Sequence, residues 1–330
     1  MAGLGCRKRA RTGDHPLSDS NNSNKKSRLN TQVNFPPEFW DRLSKVPLTG
    51  RALRELDRRN GIRSPLPPRV QEGAFCGSLA EFARRGGPNI ADLRGAFKRT
   101  NANTAAEDDV VVEIVPVICG TNAILSKRNP LFTELKPITD GTASQPKPDV
   151  FDGARFDDID KRIRTDEHIY PLIIPTKHLH LPVAPNFFLE VKSQSGDPAV
   201  LERQACYDGA HGARAMHCLQ NYGREKPIYD GNAYAFSATY HPGSRTLSLY
   251  AHHITAPATS RGEPEYHLTD LPGYYLMSDR DALVAGLTAF RNLRDVAQEF
   301  RDNFIKSANA HARNDIAGKM NSPIKKRGSG

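Results

Sequence analysis

The residues best suited to do chemistry lie in Phe187-Phe188-Leu189-Glu190-Val191-Lys192-Ser193, an apolar run carrying an acid and an ammonium two positions apart. Its brevity, and the Pro185-Asn186 and Ser195-Gly196 pairs that bound it, predict a strand. Side chains alternate along a strand, so Glu190 and Lys192 project from one face while Leu189 and Val191 point to the other. Charges on a largely buried strand need partners or a task. Upstream, Lys147-Pro148-Asp149-Val150-Phe151 offers a second short strand with a carboxylate at its start. On adjacent strands, Asp149 and Glu190 could share one hard divalent cation, Mg²⁺ or Mn²⁺, which takes oxygen ligands, with the Val191 carbonyl completing the shell. Lys192 would then stand beside the cation as a fixed positive charge for a developing phosphorane or an attacking water. Together these are the parts for metal-assisted phosphodiester hydrolysis. Asp149 has a plainer use as well, because Asp after Pro is ordinary turn chemistry and Asp152-Gly153 follows closely.

These groups need elements to hold them. The stretch from Pro198 to Tyr222 predicts a helix, with Asp197 as its N-cap and Pro198 at its first position. Gln204, Tyr207, Asp208 and His211 recur at steps of three and four and share one of its faces. Turned toward the site, Gln204 would orient a water or phosphate, and Tyr207 would hydrogen-bond or stack on a base. The alternative is a polar face whose Gly209 and Gly212 serve close backbone packing. Asp108 to Gly120 is ambiguous: its β-branched content suggests a strand, whereas Val110, Val111, Ile114, Val115 and Ile118 follow helical spacing behind Glu107, Asp108 and Asp109. Leu131 to Ile138 predicts the first core strand. A charged insert, Asp157 to Arg162, and the pair His178 and His180 separate it from the central strand, the two histidines reading as a possible ligand pair or as polar edge positions. Asn232 to Tyr240 and Thr246 to Ile254 alternate as a hairpin around Pro242-Gly243. Leu283, Leu287, Phe290, Leu293, Val296, Phe300 and Phe304 predict an amphipathic helix from Asp279 to about Ala310 that covers the sheet.

At Pro148-Asp149, Glu190-Val191-Lys192 and the following Gln204 and Tyr207, the chain resembles the PD-(D/E)XK nuclease superfamily, Gln204 and Tyr207 matching an element of its RecB-like members. Wider stretches, Phe39 to Arg59, Val183 to Lys192, Arg203 to Ala215 and Tyr229 to Tyr234, are similar to a fungal family assigned to the same nuclease-like fold. The resemblance spans roughly residues 35 to 310. It implies an α/β fold with a restriction-endonuclease-like core, a central mixed β-sheet flanked by helices. It also implies that the core opens with a helix whose acid helps hold the metal. That choice settles Asp108 to Gly120 as a helix and makes Glu113 the candidate ligand, with Glu107 behind it. The implied activity is Mg²⁺-dependent hydrolysis of nucleic acid, DNA foremost, by Asp149, Glu190, Lys192 and Gln204. A catalytically inactive member of the fold, binding nucleic acid or a protein partner, is the other expectation.

Composition bounds the rest. A chain of 330 residues with 38% hydrophobic content can bury one sizeable core. The formal charge of +9 favours a polyanionic partner, much of the excess lying in the tails. Five cysteines without CxxC or Cys/His spacing predict a reduced compartment and no structural zinc. No apolar run reaches the length of a membrane span. There is no Walker, Rossmann, GxSxG or zinc-finger pattern. Residues 1–33 form a polar arm, disordered by composition, with two basic clusters, Arg7-Lys8-Arg9-Ala10-Arg11 and Lys25-Lys26-Ser27-Arg28. They suit a nuclear import receptor, and hence the nucleus, or alternatively weak contact with nucleic acid. Residues 34–106 predict a helical extension that includes helices at Phe35 to Asn60 and Ser78 to Arg85. Residues 107–312 are the nuclease-like domain, and 313–330 a second basic tail.

Overall fold

The computed structural model describes residues 91–320, apart from 121–122, 140–143 and 260–261. The basic clusters from Arg7 to Arg28, the helices expected before residue 90 and the last ten residues lie outside the described residues.

Helix α1 (Ala91–Asn103) leads into a second helix, α2, over residues 107–119. In α2 a π-helical stretch, Val110–Ile114, sits between two α-helical pieces, Glu107–Asp109 and Val115–Cys119. The helical choice for this segment therefore holds. Its β-branched residues are accommodated because Val110, Val111, Ile114, Val115 and Ile118 all bury one stripe in the main core. Pro116 stands in the first turn of the last piece, where a missing N–H is harmless. Asp109 Oδ2 accepts the backbone N–H groups of Ala105 and Ala106 at 3.1 and 2.9 Å, which caps the start of α2.

The strands are β1 (Ser126–Arg128), β2 (Val150–Ala154), β3 (Val183–Val191), β4 (Ala235–His241), β5 (Thr246–Thr255), β6 (Glu265–Asp270) and β7 (Tyr274–Tyr275). They form one mixed sheet of seven strands in the order β1-β2-β3-β4-β5-β6, with β7 paired to β5. Only β3 and β4 run parallel, and a helix connects them. Between β2 and β3 lie two short helices, α3 (Lys161–Arg164) and α4 (Tyr170–Ile173). The crossover helix α5 (Pro198–Gln220) begins at Asp197, whose side chain accepts the Ala199 amide at 2.9 Å. The chain closes with α6 (Arg280–Met320), a helix of 41 residues that runs past the expected end near Ala310.

Alternation along β3 sorts the layers. Phe187, Leu189 and Val191 join α2 and α6 in the main core, where Phe187 meets Phe290 edge-on at 5.2 Å. Phe188 and Glu190 face α5 instead. Two glycines let that helix approach closely: a Cβ at Gly212 would lie 2.7 Å from the Phe188 ring, and one at Gly209 would lie 2.1 Å from His252. On the α6 side, Asp152 and Arg294 form a buried bidentate pair at 2.7 and 2.8 Å.

One expected element is absent. Leu131 to Ile138 is not a strand, and the sheet starts with Ser126–Arg128. The backbone N–H groups of Phe132, Glu134 and Lys136 bond to carbonyls of Pro146, Pro175 and Pro171, three separate places, so no ladder can form. Phe132 and Leu135 are buried nonetheless, packing with Phe151 and Phe188 in a small cluster. Strands β6 and β7, like β1, are not singled out by the sequence, and they complete the far edge.

Candidate active site

Asp149 immediately precedes β2, which pairs antiparallel with β3 in the register Val150↔Leu189. One step outward along that register, Asp149 stands opposite Glu190. The Asp149 amide donates to Glu190 Oε1 at 3.1 Å, and the Val191 amide donates to Asp149 Oδ2 at 2.8 Å. Glu190 Oε1 is thus bonded to the backbone of the very residue whose carboxyl it neighbours. Both side chains are buried, Asp149 at 7% exposure and Glu190 at 1%.

A third carboxyl completes the group. Asp208, 3% exposed on α5, lies against Glu190 from the helix side, and negative charges buried together raise each other's affinity for a proton. Burial pushes Asp149 up to about 6, against the Val191 amide and Lys192, which pull it down. Burial likewise lifts Asp208 to about 7. Glu190 rises well above the carboxylate range, first through burial, then through the charges of Asp208 and Asp149. Its Oε2 has no hydrogen-bond partner. Helical spacing from the sequence puts Asp208 on this face of α5 without singling it out from its neighbours. The i, i+4 spacing from Gln204 was the only signal available.

Lys192 lies just beyond β3, close enough that its charge lowers both Asp149 and Glu190, with its stem packed against Gly196, where a Cβ would come within 2.6 Å of the Lys192 Cβ. Its Nζ is 3.2 Å from both carboxylate oxygens of Glu107, at the N-terminus of α2. Glu107 is therefore the helix acid beside the site. Glu113 is exposed, six residues further along, on a face that turns away from Lys192. Gln204 stands one turn before Asp208 and keeps a buried Oε1 without a partner. Tyr207 turns elsewhere: it packs edge-on against His211 at 4.8 Å and hydrogen-bonds Thr139 and the Ile138 backbone. His178 and His180 are exposed, with ring centroids 5.7 Å apart.

The donor set suits a hard cation in a particular way. Among the described residues no group of three or more His, Cys, Asp or Glu side chains is arranged to hold a metal ion. Mg²⁺ does not need one, since it keeps several waters and binds through one or two carboxylates. Asp149 and Glu190 would provide that pair, with Glu190 Oε2 unpartnered and both carboxyls raised, by burial first. Among the described residues no helix is long and apolar enough to cross a membrane. A pocket of about 810 Å³ lies apart from these carboxyls, around the C-terminal half of α5. Comparison of the chain with protein-family models, with curated proteins and with solved structures gave no match.

Proposed function

We propose that this protein is a metal-dependent nuclease-like enzyme hydrolysing phosphodiester bonds of nucleic acid, DNA foremost, in the nucleus. The observation that supports it most is the opposition of Asp149 and Glu190 across antiparallel strands, with the Lys192 charge near both. Asp149, Glu190 and the Val191 carbonyl would hold Mg²⁺ or Mn²⁺. When bound, such an ion supplies a Lewis acid for the phosphoryl oxygen and acidifies a water. The chain's own residues do the rest. Lys192 offers its ammonium to the negative charge that builds on the phosphoryl oxygens as water attacks and the P–O bond to the leaving hydroxyl breaks. Glu107 orients that ammonium through its pair of 3.2 Å contacts. Gln204, with its free Oε1, accepts a hydrogen bond from the attacking water. The clusters Arg7-Lys8-Arg9-Ala10-Arg11 and Lys25-Lys26-Ser27-Arg28 support import through a receptor with an acidic groove.

A second reading has its own observation. Asp149 Oδ2 and Glu190 Oε1 already accept backbone amides, so the carboxyls also serve as struts at the open end of β2 and β3. A protein that kept them for that purpose would bind nucleic acid or a protein partner without cutting. Incubating wild type, Glu190→Gln and Lys192→Ala with plasmid, single-stranded DNA and RNA in Mg²⁺ or Mn²⁺ separates the two. Cutting by wild type and its loss in both variants, with binding retained, is the expected result. Binding without any cutting by wild type would establish the second reading.

A further inference from the structure

Six residues beyond Asp208 on α5, Arg214 is buried at 9% exposure, yet its charge has no acidic partner among the described residues. Its guanidinium donates to the Pro137 carbonyl at 3.2 Å and to the Lys136 carbonyl. It also lies 2.9 Å from His211 Nδ1. All three partners are neutral, for burial and the neighbouring guanidinium hold His211 uncharged. A buried cation held by neutral groups alone is an incomplete arrangement, since buried charges are ordinarily paired. Arg214 Nε is also left without an acceptor.

This guanidinium borders the pocket of about 810 Å³, a size that accommodates a small organic ligand. Ile138, Ile169, Leu172 and Ile254 supply apolar wall, while exposed Lys136 and Arg224 add positive charge at the edge. Glu263 and Glu265 line it as well and can accept from amino or hydroxyl groups. A ligand matching all three features carries an anion, an apolar body and hydrogen-bond donors. We propose that the pocket binds a nucleotide through its phosphomonoester, the phosphate drawn to Arg214, Lys136 and Arg224 and the base against the apolar wall. The choice of a nucleotide over other organic anions rests on the nuclease reading, but the pocket and its unpaired cation do not. The phosphomonoester has two sources, a free mononucleotide or the 5′-phosphorylated end of a strand.

Calorimetric titration of the full chain in EDTA, as wild type and as Glu190→Gln, tests this without involving catalysis. The probes are adenosine 5′-monophosphate, adenosine, and a short oligoadenylate with and without a 5′-phosphate. Either phosphorylated probe should bind about tenfold or more tightly than its unphosphorylated counterpart. A preference for the mononucleotide assigns the free ligand, and a preference for the 5′-phosphorylated strand assigns the strand end. Lys136→Glu with Arg224→Glu should remove most of that difference. Ile138→Trp should block the pocket while leaving both carbonyl partners of Arg214 in place. Because Arg214→Gln risks the fold, these exposed and wall positions carry the test. Equal binding of phosphorylated and unphosphorylated probes, no binding of any probe, or wild-type affinity in both variants overturns the proposal. Phosphate-dependent binding by a protein that never cuts would refute the nuclease reading and leave the pocket assigned.

Discussion

Replacing Asp208 with Asn asks whether the three buried carboxyls crowd one another. Folding lifts the Asp208 carboxyl from 3.8 to about 7, with burial as the main cause. At about 1.4 kcal/mol per unit, that rise corresponds to roughly 4 kcal/mol. The native protein binds this proton more tightly than the unfolded chain does. The stabilisation is therefore whole below about pH 4 and is lost as pH rises through 7. About 3 kcal/mol of the loss falls between pH 5 and pH 8. An Asn side chain has no proton to lose, and its amide can donate to the orphaned Glu190 Oε2. Glu190, freed from the charge of Asp208, also ionises more easily. Asp149 is present in both proteins, so its titration largely cancels in the comparison. Urea unfolding of wild type and Asp208→Asn in EDTA, at pH 5 and pH 8, measures the difference. Wild type should lose about 3 kcal/mol more than the variant over that interval, and the variant should be the more stable protein at pH 8. Parallel pH dependence in the two proteins would refute the crowding argument.

Three further outcomes follow from the geometry. Glu107→Gln should loosen Lys192 and lower the cleavage rate about tenfold or more, whereas Glu113→Gln, on an exposed face, should leave it unchanged in the plasmid assay. Asp152→Ala strands the buried Arg294 guanidinium and should cost about 3–5 kcal/mol in denaturant unfolding; a cost under about 1 kcal/mol would mean that the pair is solvated in solution. Gly209→Ala pushes a Cβ to 2.1 Å from the His252 ring, itself held by Ser237 at 2.7 Å, and should destabilise by about 1–3 kcal/mol or more, read as a fall in midpoint at unchanged slope.

The sequence by itself determined the elements that obey a local rule. Helix α5 was legible from its Asp197 cap and Pro198, the long C-terminal helix from the spacing of Leu283 to Phe304, and the β4–β5 hairpin from alternation around Pro242-Gly243. It also determined that Leu189 and Glu190 point to opposite faces, because strand alternation needs no partner to be known. The mixed sheet flanked by helices matches the expected class. The restriction-endonuclease-like identity of that fold and the chemistry of its site belong to the proposal. Tertiary structure alone decided the rest. Phe132 and Leu135 lie three residues apart, which a strand would send to opposite faces, yet the loop buries both in one cluster with Phe151 and Phe188. Glu107 rather than Glu113 meets Lys192 because the docking of α2 on β3, not helical spacing, fixes which acid faces the strand end. Asp208 becomes the third carboxyl only because Gly209 and Gly212 let α5 settle on Phe188 and Glu190. Such a contact depends on the distance between two elements, and no local pattern of residues encodes a distance.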